Sequence, residues 1–199
     1  MTAALLAIAG LVAFSFVSSV TPGPNNVLLW ASGMRFGLRR TVPHILGTAV
    51  GIGGLAIAVA AGLGALLAAV PALATLMRLG GSIYLAWLAW KIAGSGEVSQ
   101  AQIDRPMSLR AGALFQLANP KAWIFAVGAV STFRPPDATG LTGALLVAVV
   151  MMLVIIPAAT IWAAAGGLIG RLVDDARTRR IVNLVLAGLV LATIVTVWL

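Results

Sequence analysis

Apolar residues run along this chain in long stretches parted by short polar clusters. They divide it into six segments, at about 2–34, 42–70, 72–92, 111–133, 141–169 and 181–199. None alternates apolar and polar positions as a half-buried strand would, and 141–169 carries no charge at all. The pattern predicts helices, the structure that satisfies every backbone group within one segment when the solvent is lipid. The third segment is the least regular, because Arg78 and Lys91 leave only the 12 residues 79–90 uncharged; it reads as a span with snorkelling cations or as a re-entrant piece. Pro71 interrupts an uncharged run from Thr41 that is too long for one crossing, so a tight helical hairpin is expected there. The one sizeable polar linker is 93–110, with Gly94, Ser95, Gly96, Glu97, Ser99, Gln100 and Asp104. Three segments precede it and three follow, so a three-helix repeat would be inverted across the membrane. The expected fold is all-α: a polytopic membrane protein of six transmembrane helices in two inverted three-helix repeats. It forms a single transporter domain over 1–199, divided into 1–92, the linker 93–110 and 111–199.

Composition supports a lipid setting. Of the 199 residues 61% are hydrophobic and 9% charged, and the mean hydropathy is +1.07, values that no water-soluble domain of this length shows. The net charge of +8 is not arranged as a basic stripe with interleaved aromatics, so nucleic acid is not an expected partner. Ten of the thirteen Lys and Arg residues fall in the first, third and fifth connections, which the positive-inside rule places in the cytoplasm, leaving both termini outside. There is no cysteine, hence no disulfide and no thiolate metal site. The first apolar run lacks a basic leader and is not followed by an A-x-A cleavage site, so it does not read as a removable signal peptide. GxxxxGK[ST] is absent, so no ATP-binding signature and no cofactor is expected.

Two interruptions carry the candidate chemistry. Pro22, Gly23 and Pro24 break the first segment, since two prolines remove backbone donors and fix φ where a straight helix cannot follow; Asn25 and Asn26 come next. In the fourth segment Asn119 precedes Pro120, a cap followed by proline at the first helical position, and Lys121 follows. Pro24 and Pro120 lie 96 residues apart, close to half the chain. Asn25 stands ten residues before Arg35 and Lys121 eleven after Arg110, roughly 15–17 Å at helical rise, so both breaks approach the bilayer midplane. The restarted half-helices would aim their N-termini at a common central region, where partial positive charge and free N–H groups suit a carboxylate. A lysine at this depth is costly and faces a cavity or partner, while all five acids, Glu97, Asp104, Asp137, Asp174 and Asp175, fall in connections. Either an anionic substrate group is its counter-charge, or it snorkels or bonds carbonyls freed by a break. His44, the one histidine, is a proton-coupling candidate or an interfacial polar residue. Asn183 reads as an interfacial cap and Pro157 as a kink. Gly47, Gly51, Gly54 and Gly62, with Ala58, form a small-residue stripe that permits close helix contact.

These features together resemble the LysE/RhtB family of amino-acid exporters over nearly the whole chain. The resemblance rests on TPGPNN at 21–26, HILGTAVGIGG at 44–54, RLGGSIYLAWLAWK at 78–91 and FQLANPKAWIF at 115–125. It implies export of amino acids or close derivatives across the cytoplasmic (inner) membrane of a bacterium, commonly by proton-driven exchange, and a six-helix core often found as a homodimer. The family's first motif falls on Pro22, Gly23 and Pro24 beside Asn25 and Asn26, and its fourth-segment motif on Asn119, Pro120 and Lys121. STFRPPD at 131–137 departs from the proline-aromatic ending of relatives. The alternatives are a divalent-cation exporter and a passive channel of the same fold. A metal site requires clustered oxygen, imidazole or thiolate ligands, and the segments hold one histidine, no cysteine and no carboxylate.

Overall fold

The computed structural model describes residues 2–94, 105–134, 140–172 and 175–198; among them there are helices and no strand. Helix α1 (Thr2–Val20) ends before the first break, and α2 (Pro24–Ala58) begins after it. A straight α2 would hold Asn25 and Thr48 about 34 Å apart. Instead Thr48 Oγ1 donates to Asn25 Oδ1 at 3.2 Å, and the hydroxyls of Ser32 and Thr41 lie 2.9 Å apart. Both pairs are centred on the Phe36–Gly37 bond, as an antiparallel hairpin requires. The reversal occurs at Gly37, whose φ of 77° and ψ of 165° are open to glycine and strained for residues with a Cβ. The arginines expected in a loop, Arg39 and Arg40, therefore lie in the first turn of the second arm.

The second arm continues through a π-helical turn (Val59–Leu63) and the short α3 (Gly64–Ala69). Val70, at φ −123° and ψ 77°, breaks the chain where the following proline disfavours the helical region, so the break expected at Pro71 is present, but α4 does not fold back along the second arm of α2 as a tight hairpin would. Helix α4 (Pro71–Gly94) is one continuous helix of 24 residues, long and apolar enough to cross a membrane; Lys91 lies 4.7 Å from the centroid of the Trp87 ring. Helix α5 (Leu109–Ala118) starts at Ser108, whose hydroxyl accepts from Ala111 N at 3.2 Å. Asn119, in extended conformation, separates α5 from α6 (Pro120–Phe133). Helix α7 (Gly140–Leu172) contains Pro157 without breaking.

Helix α8 (Ala176–Trp198) begins five residues before the expected 181 because Asp175 accepts from Thr178 N at 2.7 Å, a side-chain cap that starts the helix earlier. That register places Asn183 in the second turn and fully buried, so it is not an interfacial cap. Among the described residues four helical stretches are long and apolar enough to cross a membrane: Pro24–Leu67, Pro71–Gly94, Leu141–Leu172 and Ala176–Val195; Leu5–Val20 is a shorter apolar one.

Close contacts define how the helices run. Gly10 faces the Phe133 ring and Gly128 the Phe14 ring, which makes α1 antiparallel to α6. The first arm of α2 is parallel to α7, with Gly166 against the Trp30 carbonyl and, one turn on, Gly170 against Met34; the second arm is therefore antiparallel to α7. Gly47 and Gly51 let the second arm run parallel to α5, against Leu109 and Ala113. Small residues at such crossings allow the backbone approach that holds helices together in lipid. Gly54 has no neighbour within 4 Å of an added Cβ and Gly62 serves a left-handed φ of 119°, so only half of the expected glycine stripe is a packing surface. Trp198 Nε1 donates to Ser82 Oγ at 3.0 Å. Leu85, Leu88 and Ile92 can then be buried against Leu186 and Val190 only if α8 runs antiparallel to α4.

Candidate functional site

The two breaks have the same local construction. Gly23 (φ −174°, ψ 169°) and Asn119 (φ −93°, ψ 105°) are extended residues followed by a proline that opens the next helix, and neither start is capped by a side chain. Antiparallel packing of α1 and α6 brings the breaks together. Lys121 Nζ reaches across to donate to Thr21 O at 2.7 Å, Thr21 Oγ1 at 2.7 Å and Pro22 O at 3.0 Å. These acceptors sit at the negative end of the α1 dipole, which favours a cation. Of the two roles read from the sequence, the bond to freed carbonyls is thus realised in this structure. Gly23 makes room for it, because a Cβ there would stand 2.9 Å from Lys121 Cδ and 3.3 Å from Nζ. Asn26 Nδ2 takes further carbonyls of the same end, donating to Ser19 O at 2.7 Å and Thr21 O at 2.8 Å.

Asn25 is the hub of a buried network. Its Oδ1 accepts from Gln116 Nε2 at 2.9 Å and Thr48 Oγ1 at 3.2 Å, and His44 Nε2 lies 3.3 Å away. Since that oxygen only accepts, the contact calls for the tautomer protonated at Nε2. Gln116 Oε1 in turn accepts from Asn119 Nδ2 at 3.1 Å. One chain of side chains therefore ties both arms of α2 to α5 and to the second break. Asn119 Oδ1 is buried with no hydrogen-bond partner, an acceptor left open in a setting where most buried polar atoms are paired.

A cavity of about 40 Å³ lies where these residues meet, lined by Gly23, Pro24, Asn25, Asn26, Asn119 and Lys121 among others. Pro22 lines instead a wider cavity of about 370 Å³ between α1, α6 and α8. Pro120 packs its ring on Gly81 of α4, and His44, fully buried, stands behind Asn25. Sequence reasoning passed over Gln116, Thr48, Thr21 and Ser19. Gln116 lies three residues before Asn119 and Thr48 four after His44, so each shares a helix face with a residue already singled out. That spacing was the available signal.

The sequence profile of LysE type translocators matches residues 16–197. The chain is also similar to several proteins named cysteine/O-acetylserine efflux protein. The one from Escherichia coli O139:H28 (strain E24377A / ETEC) is 32% identical over 179 residues, covering 89% of this chain and 90% of the relative. Those from Escherichia coli (strain K12) and Shigella flexneri serotype 5b (strain 8401) are each 32% identical over 160 residues, 80% of this chain and 82% of theirs. No solved structure matches the chain. With a profile match over most of its length and relatives at this identity and coverage, the chain belongs to the LysE type translocator family, a family of multi-pass membrane transporters and not of enzymes.

Proposed function

We propose that this protein exports amino acids or close derivatives across the cytoplasmic membrane of a bacterium. The substrate binds where the two broken helices meet, at Pro22, Gly23, Pro24, Asn25, Asn26, Asn119, Pro120 and Lys121. The observation that carries the reading is the convergence of two half-helix starts, from opposite directions, on one cavity lined by Asn25, Asn26, Asn119 and Lys121, with an unpaired buried acceptor on Asn119. Breaks of this kind in transporters present helix N-termini to a substrate carboxylate. The curated relatives, named for efflux of cysteine and O-acetylserine, support an amino acid with an uncharged side chain as cargo.

Six crossings in two inverted repeats, 1–92 and 111–199, joined by the linker 93–110, account for the packing. Each helix of the first half lies antiparallel to its counterpart in the second: α1 to α6, the second α2 arm to α7, and α4 to α8. Both termini lie outside, the chain works as a homodimer as its family resemblance implies, and the proton gradient drives exchange with His44 as coupling residue. Cysteines placed singly at Gly94 and Ala138 of the cysteine-free chain should label from opposite sides, the first from the cytoplasm; same-side labelling would sink the topology. The transport reading is tested by efflux of a panel of labelled amino acids from proteoliposomes with and without a proton gradient. Export accelerated by the gradient is expected, and no efflux of any member would defeat the proposal.

A further inference from the structure

Lys121, Ser18 and Phe125 line both cavities, so the narrow space and the wide one adjoin at these three side chains. The narrow space, about 40 Å³, has room for about three waters, comparable to an ammonium and a carboxylate but not to a sizeable side chain as well. The wide one is about nine times larger at about 370 Å³ and open on one side, and its walls are mainly apolar: Phe14, Leu189 and Val197, with Ile124 and Ala192 on the exposed rim. The two groups suited to the head of an amino acid lie two residues apart at the second helix restart. Asn119 carries an unpaired buried acceptor, Oδ1, suited to an ammonium, and Lys121 Nζ spends its three N–H donors on neutral oxygens, weaker acceptors that a carboxylate would displace.

Resting on the transport reading above, we propose that the bound amino acid places its ammonium at Asn119 and its carboxylate at Lys121, and projects its side chain into the wide cavity. Leu189 and Ala192 of α8 thereby set which side chains are accepted. The favoured class is amino acids with unbranched or bulky apolar side chains. Charged side chains are excluded, since the apolar walls offer no counter-charge and a cationic side chain would also meet Lys121. Neither α8 residue lies in a motif of the family resemblance, so α8 carries selectivity apart from the breaks that carry the head group.

Titration calorimetry on the full chain in nanodiscs, with alanine, 2-aminobutyrate, norvaline and norleucine, tests the assignment. Affinity should rise about fourfold with each methylene, the fold-change expected for moving one methylene from water into an apolar space. Ala192→Trp, which fills the cavity, should lower the norleucine-to-alanine affinity ratio at least tenfold. Leu189→Ala, which widens it, should move the optimum toward longer side chains. Lysine and glutamate should bind at least tenfold more weakly than norleucine. If proteoliposomes export alanine but the series is flat, or neither variant changes the ratio, the wide cavity belongs to lipid and the assignment of α8 is overturned while the transport reading stands. Binding and export of none of the four would overturn both.

Discussion

Asn25→Ala removes the acceptor on which three side chains converge, and the structure sets how much stability goes with it. Gln116 Nε2 also donates to Gly112 O at 3.0 Å, and Thr48 Oγ1 to His44 O at 3.0 Å, so both donors keep a backbone partner. His44 is the one whose ring contact runs through Asn25 alone among the bonds described, and it is fully buried, with Nδ1 already unpaired. Orphaning a buried donor costs about 1–3 kcal/mol. An interhelical hydrogen bond within lipid contributes about 0.6 kcal/mol on average. Asn25→Ala should therefore lower unfolding free energy by about 2–4 kcal/mol, a large share of the roughly 5–15 kcal/mol a domain has. Helix content followed by circular dichroism during SDS titration in detergent micelles reads the loss. His44→Phe in the same background removes the orphan, so the double variant should lose at least about 1 kcal/mol less than the two single changes added together. An Asn25→Ala protein within about 0.5 kcal/mol of the parent, or strict additivity in the cycle, would refute the hub.

The remaining predictions use other contacts. Gly23→Ala should change stability by less than about 1 kcal/mol, because its backbone is extended and the Cβ meets the flexible stem of Lys121 at 2.9 Å. Transport affinity should fall several-fold as the ammonium is pushed off Thr21, and unchanged kinetics would count against that placement. Gly166→Ala drives a Cβ to 2.8 Å from the Trp30 carbonyl carbon and must separate α7 from α2; melting should report a loss of about 1–3 kcal/mol. Gly54→Ala meets nothing within 4 Å and should gain up to about 1 kcal/mol of helix propensity. The hydrogen bonds from Thr178 hold the Asp175 carboxyl below its usual range. Its stabilisation is complete above the ordinary value of about 3.9 and is lost as pH falls through the lower folded value. Asp175→Ala should accordingly melt earlier than the parent at pH 7, with the difference shrinking below about pH 4; a constant difference would mean the cap does not act through its charge.

The helix breaks were legible because proline acts locally: it removes a donor and restricts its neighbour wherever the chain goes, so Pro24 and Pro120 mark restarts without any knowledge of packing. The reversal at Gly37 was concealed among Arg35, Arg39 and Arg40, which announce a connection but not that one residue of positive φ completes it. Thr48 and Gln116 were obscure for another reason. A threonine or glutamine in a helix can bond its own backbone, as both do here to His44 O and Gly112 O, so nothing in the local sequence says that the same group also reaches Asn25. For Lys121 the charge argument offered a carbonyl or a carboxylate. Only the antiparallel seating of α6 on α1, which depends on Gly10, Phe14 and Gly128, shows that the carbonyls of Thr21 and Pro22 are within reach. The α8 wall of the wide cavity had no signature at all, because Leu189 and Ala192 are ordinary helix residues until α1 and α6 are set beside them.

The central claim is that the meeting point of the two breaks recognises the carboxylate end of an amino acid through Lys121, and comparing acid with amine tests it most directly. Lys121→Met keeps much of the apolar stem and removes the charge, and its melting temperature shows whether the fold survives the loss of the bonds to Thr21 and Pro22. Binding of norvaline and of its carboxylate-free analogue butylamine is then measured on parent and variant in nanodiscs. Norvaline should bind the variant at least tenfold more weakly, a difference of about 1.4 kcal/mol or more, while butylamine binds it no worse than it binds the parent. A folded Lys121→Met protein that binds and exports norvaline with the parent's affinity and rate would contradict the claim.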